Sequence, residues 1–521
     1  MRLKLPTIWL MFALLGAAVS IPVQAALEIE PLFGSGMVVQ RDKPIPLWGQ
    51  VAPGQTVTVQ EGVATKSVVA GADGRWKIVL PARPAGLIPD IVITTGSEKI
   101  TLTNLLAGDV WLCCGQSNME WNLGNARDAA TELKNADHRQ LRLFMVDKRV
   151  SDVPLRDLTG QWQVSSAQSA KPFSAVGYFF GRDLQQELNV PIGLIQCCWG
   201  GTGSEPWTPM ELIQADPNYA PFLKQLAEYR ANYPNIIIKY DADMKAWEQK
   251  AAKAKANGTK LPEKPLSMPP PDNNHKGAAG LFNGMVAPLI GLPVKGALWS
   301  QGESSFSRMK FYRKFVADMF AEWWRRWNVS DYPVIVIQLA NYEPVQANSG
   351  ESVRAEFREV QVQLAKTLPR AGLVTTIDVG EADTIHPLNK QDVGHRTMLA
   401  ALKTAYGRNV VASGPTCESV VFQGAIAKVK FSNLGDGLVV GRKGEGGTLK
   451  GFALAGADKK WCWADANISG DEVTVRSDAV VKPVALRYAW AANPVCNLYN
   501  RNGLPAVPFR TDGNGEKLQP Y

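Results

Sequence analysis

A serine that attacks an ester needs a base to take its proton, and this chain has only four histidines, at positions 138, 275, 386 and 395. His386 is the best placed. It ends the run Asp383-Thr384-Ile385-His386, beyond the carboxyl end of an apolar run, Leu373 to Ile377, that reads as a buried strand. His395 falls within a helical pattern and His275 within a Pro-rich stretch. A nearby carboxylate such as Asp383 would fix the imidazole tautomer and stabilise the imidazolium. The serine is Ser117, in Asp109-Val110-Trp111-Leu112-Cys113-Cys114-Gly115-Gln116-Ser117-Asn118-Met119-Glu120. There an apolar strand runs into a Gly turn, and the serine stands where open α/β sheets place ligands. In isolation Ser117-Asn118 is an ordinary turn or helix cap. Two more polar turns follow apolar runs directly, Trp199-Gly200-Gly201-Thr202 and Trp299-Ser300-Gln301-Gly302-Glu303-Ser304. Glycine admits close backbone approach, and the Gln301 amide can donate to a developing oxyanion. Convergence of these turns at one sheet edge is what favours chemistry over four unrelated loops.

The elements that would position them alternate between strand and helix from Asp109 onward. Apolar runs at Val110 to Cys114, Leu141 to Val146, Ile192 to Cys197, Gly296 to Ser300, Val334 to Leu339 and Leu373 to Ile377 are separated by helical patterns. The helices are expected at Val176 to Leu188, Lys310 to Trp327, Arg354 to Leu368 and Asn389 to Tyr406, the last ended by Gly407. Such alternation means a parallel sheet covered on both faces. Residues 26–107 and 413–521 read instead as short alternating strands between Gly and Pro turns. The expected organisation is a signal segment (1–25), an N-terminal β-sandwich-like domain (26–107), an α/β catalytic domain (108–408) and a C-terminal β-rich region (413–521). A helical, Pro-rich insertion at 205–282 interrupts the catalytic domain, its Lys250, Lys253 and Lys255 forming a solvated helix face.

Composition narrows the class. A chain of 521 residues with 45% hydrophobic and 20% charged residues is an ordinary globular protein of several domains, neither disordered nor fibrous. Arg2 and Lys4, the apolar Ile8 to Val19 and the small residues at Val23-Gln24-Ala25 read as a secretory signal, too short to span a bilayer. Its removal takes the net charge from +8 to +6. Lysines and arginines are dispersed and no nucleic-acid-binding signature is present, so nucleic acid is not an expected partner. The 16 tryptophans serve mainly core packing, with sugar rings as the alternative use. Of the seven cysteines, the pairs Cys113-Cys114 and Cys197-Cys198 alternate faces on strands and read as buried thiols, whereas Cys462 and Cys496 are the more plausible bridge. There is no G-x-S-x-G elbow, P-loop or dinucleotide fingerprint, and no His or carboxylate cluster calls for a metal.

Gly115-Gln116-Ser117-Asn118-Met119, Trp199-Gly200-Gly201-Thr202, Phe282-Asn283-Gly284-Met285, Trp299 to Ser304, Ile385-His386-Pro387-Leu388-Asn389-Lys390 and the C-terminal Asn497 to Asn500, Gly503 to Ala506 and Pro508 to Asp512 together resemble the sialate O-acetylesterase family of SGNH-type hydrolases. The resemblance runs through nearly all of the chain after residue 25. It implies a flavodoxin-like catalytic domain without metal or cofactor, with Ser117 as nucleophile and His386 as base. Ser117 N–H, Gly201 N–H and the Gln301 side chain would form the oxyanion hole, with Trp199, Asn283 and Glu303 touching substrate. Asp383 completes the triad, with Asp378 and Glu381 in reserve because relatives vary at the acidic position. The expected function is an exported, periplasmic or secreted carbohydrate O-acetylesterase acting through an acetyl-serine. Sialic acid 9-O-acetyl esters are the substrate by resemblance, and acetylated plant polysaccharides such as xylan or xyloglucan the alternative. The rival from another class is a noncatalytic glycan-binding protein, and a lipase is disfavoured because no long apolar lid is present.

Overall fold

The computed structural model describes residues 26–513, so the expected signal segment lies outside the described residues. Among those residues no helix is long and apolar enough to cross a membrane. Seven strands build the central sheet: Leu105–Gly115 (β1), His138–Met145 (β2), Trp162–Ser165 (β3), Ile192–Cys198 (β4), Gly296–Ser300 (β5), Val334–Ile337 (β6) and Ala371–Val374 (β7). Their spatial order is β3-β2-β4-β1-β5-β6-β7. All neighbours are parallel except the β2–β3 pair. The chain fills one side of β1 first and then the other. The carboxyl end of β1 is therefore the topological switch point, where a crevice opens between β4 and β5.

Apolar residues line both faces of these strands, and helices cover both. Trp111, Cys113, Leu194, Cys198 and Leu298 pack with the buried faces of Ala175–Leu188 (α1) and Lys390–Tyr406 (the last helix). Leu112, Cys114, Cys197, Ala297 and Trp299 pack on the opposite side with Tyr312, Val316, Phe320 and Trp323, spaced as one stripe of the helix Met309–Arg326. Adjacent cysteines therefore point to opposite faces, as the strand period requires, and each is buried. In chain order after α1, the long helices are Ala220–Ala256 (α2), Met309–Arg326 (α3), Val353–Thr367 (α4) and Lys390–Tyr406 (α5). Ser174, Ser352 and Asn389 cap α1, α4 and α5 through side-chain oxygens, and Gly407 ends α5 at a φ of 64°. The insertion is dominated by α2, a 37-residue helix in which only Phe222 is buried, so Lys250, Lys253 and Lys255 lie in solvent.

Antiparallel sheets flank this core. Before β1, Thr56–Glu61 pairs with Ala64–Val69 and Ile91–Thr95, and Ile45–Gln50 pairs with Arg75–Leu80. After α5, Ile426–Ser432 pairs with Thr416–Gln423 and Glu472–Arg476. No linker marks residue 107, because β1 runs straight through it. The first residues of β1 pair with Val38–Gln40 and Gly86–Ile88, and the rest with β4 and β5. The junction is pinned by buried Asp109, which accepts from Arg41 at 3.0 and 2.9 Å, from Gln40 at 2.9 Å and from Tyr406 at 2.9 Å.

Two expectations are corrected. The apolar run Leu373 to Ile377 is not one strand: β7 ends at Val374, and Ile377 packs into the C-terminal core with Cys417, Phe431 and Leu454. The run reads as one strand because apolar residues stand at both its ends, Leu373 and Val374 on the two sides of the sheet and Ile377 in the C-terminal core. Cys462 and Cys496 are unbridged thiols. Cys462 sits opposite Leu454, whereas Cys496 packs on Gly451, three residues away along the same segment. That is about 10 Å of strand, more than twice the Cβ separation a disulfide tolerates.

Helices α1 and α5 touch at Gly394, where an added Cβ would lie 2.4 Å from the Phe179 Cβ and 2.9 Å from the Phe180 nitrogen. Gly394→Ala is expected to force the helices apart and cost about 1–3 kcal/mol. Thermal unfolding of the two proteins checks this, and an unchanged Tm would show that the contact is not tight.

Candidate active site

The carboxyl ends of three adjacent strands supply the floor of the crevice. Gly115, the last residue of β1, pairs with Cys198 on one side and Ser300 on the other. Its φ is 132°, and a Cβ there would lie 2.1 Å from the Ser300 carbonyl oxygen, so only glycine lets the chain turn between its neighbours. The turn leads into a helical turn, Ser117–Glu120, and sets Ser117 beside the loop after β4. A Cβ on Gly200 would come within 3.2 Å of the Ser117 Cβ. His386, in the loop between β7 and α5, places Nε2 2.9 Å from Ser117 Oγ.

The imidazole is half-buried and stacks on Trp121, with ring centroids 4.9 Å apart and planes inclined by 21°. Burial, and next the Lys390 ammonium, hold its pKa below the usual 6.5. It is therefore neutral, the form that accepts a proton, over most of the range above pH 6.5. The Ser117 and Gly201 N–H groups have no acceptor among the described residues and are free to meet an oxyanion. Gly201 has a φ of 74°, another conformation suited to glycine.

Several predicted residues take other roles. Asp383 is exposed and makes no hydrogen bond to the imidazole among the described residues, because the loop turns its carboxylate to solvent. Neither reserve carboxylate replaces it. Asp378 is held by Arg396 at 2.6 and 2.7 Å and by Tyr499 at 3.0 Å, while Glu381 accepts from Leu388 N at 3.2 Å. Gln301 is not a free oxyanion donor. Its Nε2 is buried against three acceptors, Gln116 Oε1 at 3.1 Å, Thr202 O at 3.1 Å and Ser305 Oγ at 2.9 Å, more than its two hydrogens can serve. Thr202 O accepts only, which fixes the amide orientation. Gln301 instead ties the loops after β1, β4 and β5 together.

Of the residues expected to touch substrate, Trp199 is at the rim, already stacked on His275 at 4.9 Å with the Lys148 ammonium 5.1 Å from its centroid. Asn283 is buried in the scaffold and donates to Ser151 O at 3.0 Å. Glu303 lies beneath the site, where its Oε1 accepts from Asn118 Nδ2 at 2.5 Å. Sequence reasoning passed over Trp121 and the contacts of Asn118 and Lys390. Trp121 lies four residues after Ser117, one helical turn on, and that spacing was the available signal.

Three comparisons bear on this geometry. Residues 107–253 match the family described as carbohydrate esterase, sialic acid-specific acetylesterase. The rat sialate O-acetylesterase is 28% identical over 96% of this chain and 97% of its own length, and the human one 27% identical over 92% and 91%. The crystal structure of a carbohydrate acetylesterase from Xanthomonas citri is similar with a TM-score of 0.77 and 36% identity, covering 93% of this chain and 99% of that one.

The position of Asp383 gives a direct test. Following the His386 imidazole by NMR, Asp383→Asn should leave its titration midpoint within about 0.3 pH units, because a solvated charge without a contact is screened. A fall of a full unit or more would mean that the carboxylate is a partner after all.

Proposed function

Since the chain belongs to the sialate O-acetylesterase family of carbohydrate esterases, we propose that it removes acetyl groups from sugar hydroxyls by a Ser117–His386 relay. The observation that carries this reading is the 2.9 Å contact between Ser117 Oγ and His386 Nε2 at the switch point of the sheet. Ser117 Oγ attacks the ester carbonyl as His386 Nε2 takes its proton, and the tetrahedral oxyanion is received by the Ser117 and Gly201 N–H groups. His386 returns the proton to the sugar oxygen as the C–O bond breaks, leaving an acetyl-serine. Water then adds to that ester with His386 again as base, and acetate leaves as Ser117 recovers its proton.

Asp383 takes no step in this scheme. The substrate we favour is an O-acetylated sialic acid, supported by the names of the mammalian relatives. The Xanthomonas relative, a carbohydrate acetylesterase, keeps acetylated plant polysaccharides as the second reading. Acetate release from a panel of acetylated sialosides, xylans and xyloglucans separates the two. The basic and apolar pattern of residues 1–25 supports export, to the periplasm or beyond.

Ser117→Ala and His386→Ala should each lower kcat on an aryl acetate by about a thousandfold or more, and the double variant should lose little further, since the two act as one unit. A Ser117→Ala enzyme with near-normal turnover would end the proposal, and the noncatalytic reading would require that no acetyl ester be turned over at all. The kcat/KM profile should fall on the acid side with a midpoint below 6.5. Protonation removes the base, and burial with Lys390 moves that protonation to lower pH.

A further inference from the structure

With no carboxylate on the imidazole, something else must hold the histidine loop to the nucleophile. Asn118, next to Ser117, touches both. Its Nδ2 donates to the carbonyl oxygen of Ile385, the residue before His386, at 3.1 Å and to Glu303 Oε1 at 2.5 Å. Its Oδ1 accepts from Lys390 Nζ at 2.7 Å. An ammonium only donates and a carbonyl only accepts, so these partners fix which end of the amide is which. Asn118 therefore stands at a junction of three loops, those after β1, β5 and β7.

The junction is charged and buried. Lys390, the first residue of α5, is 1% exposed, and Glu303 Oε2 is buried without a hydrogen-bond partner. Together with Ser300, Gln338 and Thr376 these side chains line a small cavity under the nucleophile turn. Burial pushes the Glu303 carboxyl up and the Lys390 ammonium down to about 7, with Glu303 and Glu381 opposing the second shift. Buried charges are costly, and a pair kept beneath a reacting serine needs a reason.

We propose that Lys390, acting through Asn118 and beside Glu303, is the positioning and electrostatic partner of His386. It fastens the histidine loop to the nucleophile turn, and its positive charge keeps the imidazole in the proton-accepting form. The groups facing this ammonium are Asn118, Glu303 on the loop after β5 and Glu381 on the histidine loop. On the imidazole, the facing groups are Ser117, Trp121 and the Lys390 charge. The proposal rests on the Ser117–His386 reading.

The two roles separate by substitution. Lys390→Gln keeps a donor for Asn118 but removes the charge: the acid limb of kcat/KM should move to higher pH, with the plateau kcat within about threefold of the parent. Lys390→Met removes both, so the limb should move equally and the plateau kcat fall by about tenfold to a hundredfold, the scale on which misplacement of reacting groups acts. Asn118→Leu cuts the tether and spares the charge. It should lower the plateau kcat similarly, leaving KM and the acid limb in place. An acid limb that stays put in both lysine variants would overturn the electrostatic role, and an unaltered plateau in both Lys390→Met and Asn118→Leu would overturn the positioning role. If neither lysine variant folds, Lys390 is a structural residue and the proposal fails. Ser117→Ala and His386→Ala run alongside keep the outcomes distinct: an active Ser117→Ala enzyme sinks the Ser–His reading, whereas inactive controls with unaltered lysine variants sink only this proposal.

Discussion

One hydrogen bond, Ser117 Oγ to His386 Nε2, joins two segments that the chain holds in place by different means. Ser117 is fixed by backbone register. The strand before it pairs on both sides, and Gly115 is pressed so closely between its neighbours that the turn into the serine has little freedom. His386 has less of it, since the backbone of its loop is held by one bridge from Glu381 to Tyr342 and by Arg127 N donating to Leu388 O. Its loop leaves the edge strand at Thr375 and is fastened by side chains, among them Asp378 to Arg396 and Tyr499, Gly380 N to Asn341 and Ile385 O to Asn118. The geometry of the pair therefore depends largely on that set of side-chain bonds.

Those bonds give the flanking β-rich segments a part in the site. Tyr499, on a strand paired with Leu438–Val440, reaches Asp378 from the C-terminal region, and Ile377 is anchored in that region's core. The residues after His386 lead directly into α5, whose packing on α1 is close enough to exclude even a methyl group at Gly394. At the other end of the sheet, Asp109 binds Arg41 and Gln40 from the N-terminal segment to the strand that carries Ser117. Neither flank adds a group to the Ser–His contact, yet each restrains an element that does.

These differences in support explain what could be read from the sequence. Strands and helices were legible because apolar residues recur with the period of each element: the helix expected from Lys310 to Trp327 forms over Met309–Arg326, and Cys113 and Cys114 alternate between faces as expected. Ser117 was legible because a polar residue just past a buried strand must lie at the sheet edge, and His386 because the chain has only four histidines and this one stands in the loop between the last strand of the sheet and α5. Asp383 and Gln301 were misread for one shared reason. Sequence spacing says whether a side chain can reach a site, and it is silent on which other polar groups claim it first. Gln301 has the right place in the chain, but Thr202, Ser305 and Gln116 take its hydrogens, while the loop that carries Asp383 turns it to water. The break in the run Leu373 to Ile377 was hidden because an apolar residue follows the strand's end, Leu373 and Val374 serving the two faces of the sheet and Ile377 the C-terminal core.

An imidazole without a carboxylate partner among the described residues changes the energetics of the proposed relay. A carboxylate stabilises the imidazolium and makes the ring a stronger base, whereas here burial and a nearby ammonium both disfavour the charged ring. Near pH 7 this gains little, because an imidazole with the ordinary pKa of about 6.5 is already about three-quarters neutral there. Around pH 5 only about 3% of such a ring is neutral, and a first unit of lowering would raise that fraction about eightfold. The arrangement exchanges basicity for a base that stays available in acid. In the proposed relay, what is lost in proton affinity must be recovered where charge develops on the substrate, and the unclaimed N–H groups of Ser117 and Gly201 are the donors proposed for that position.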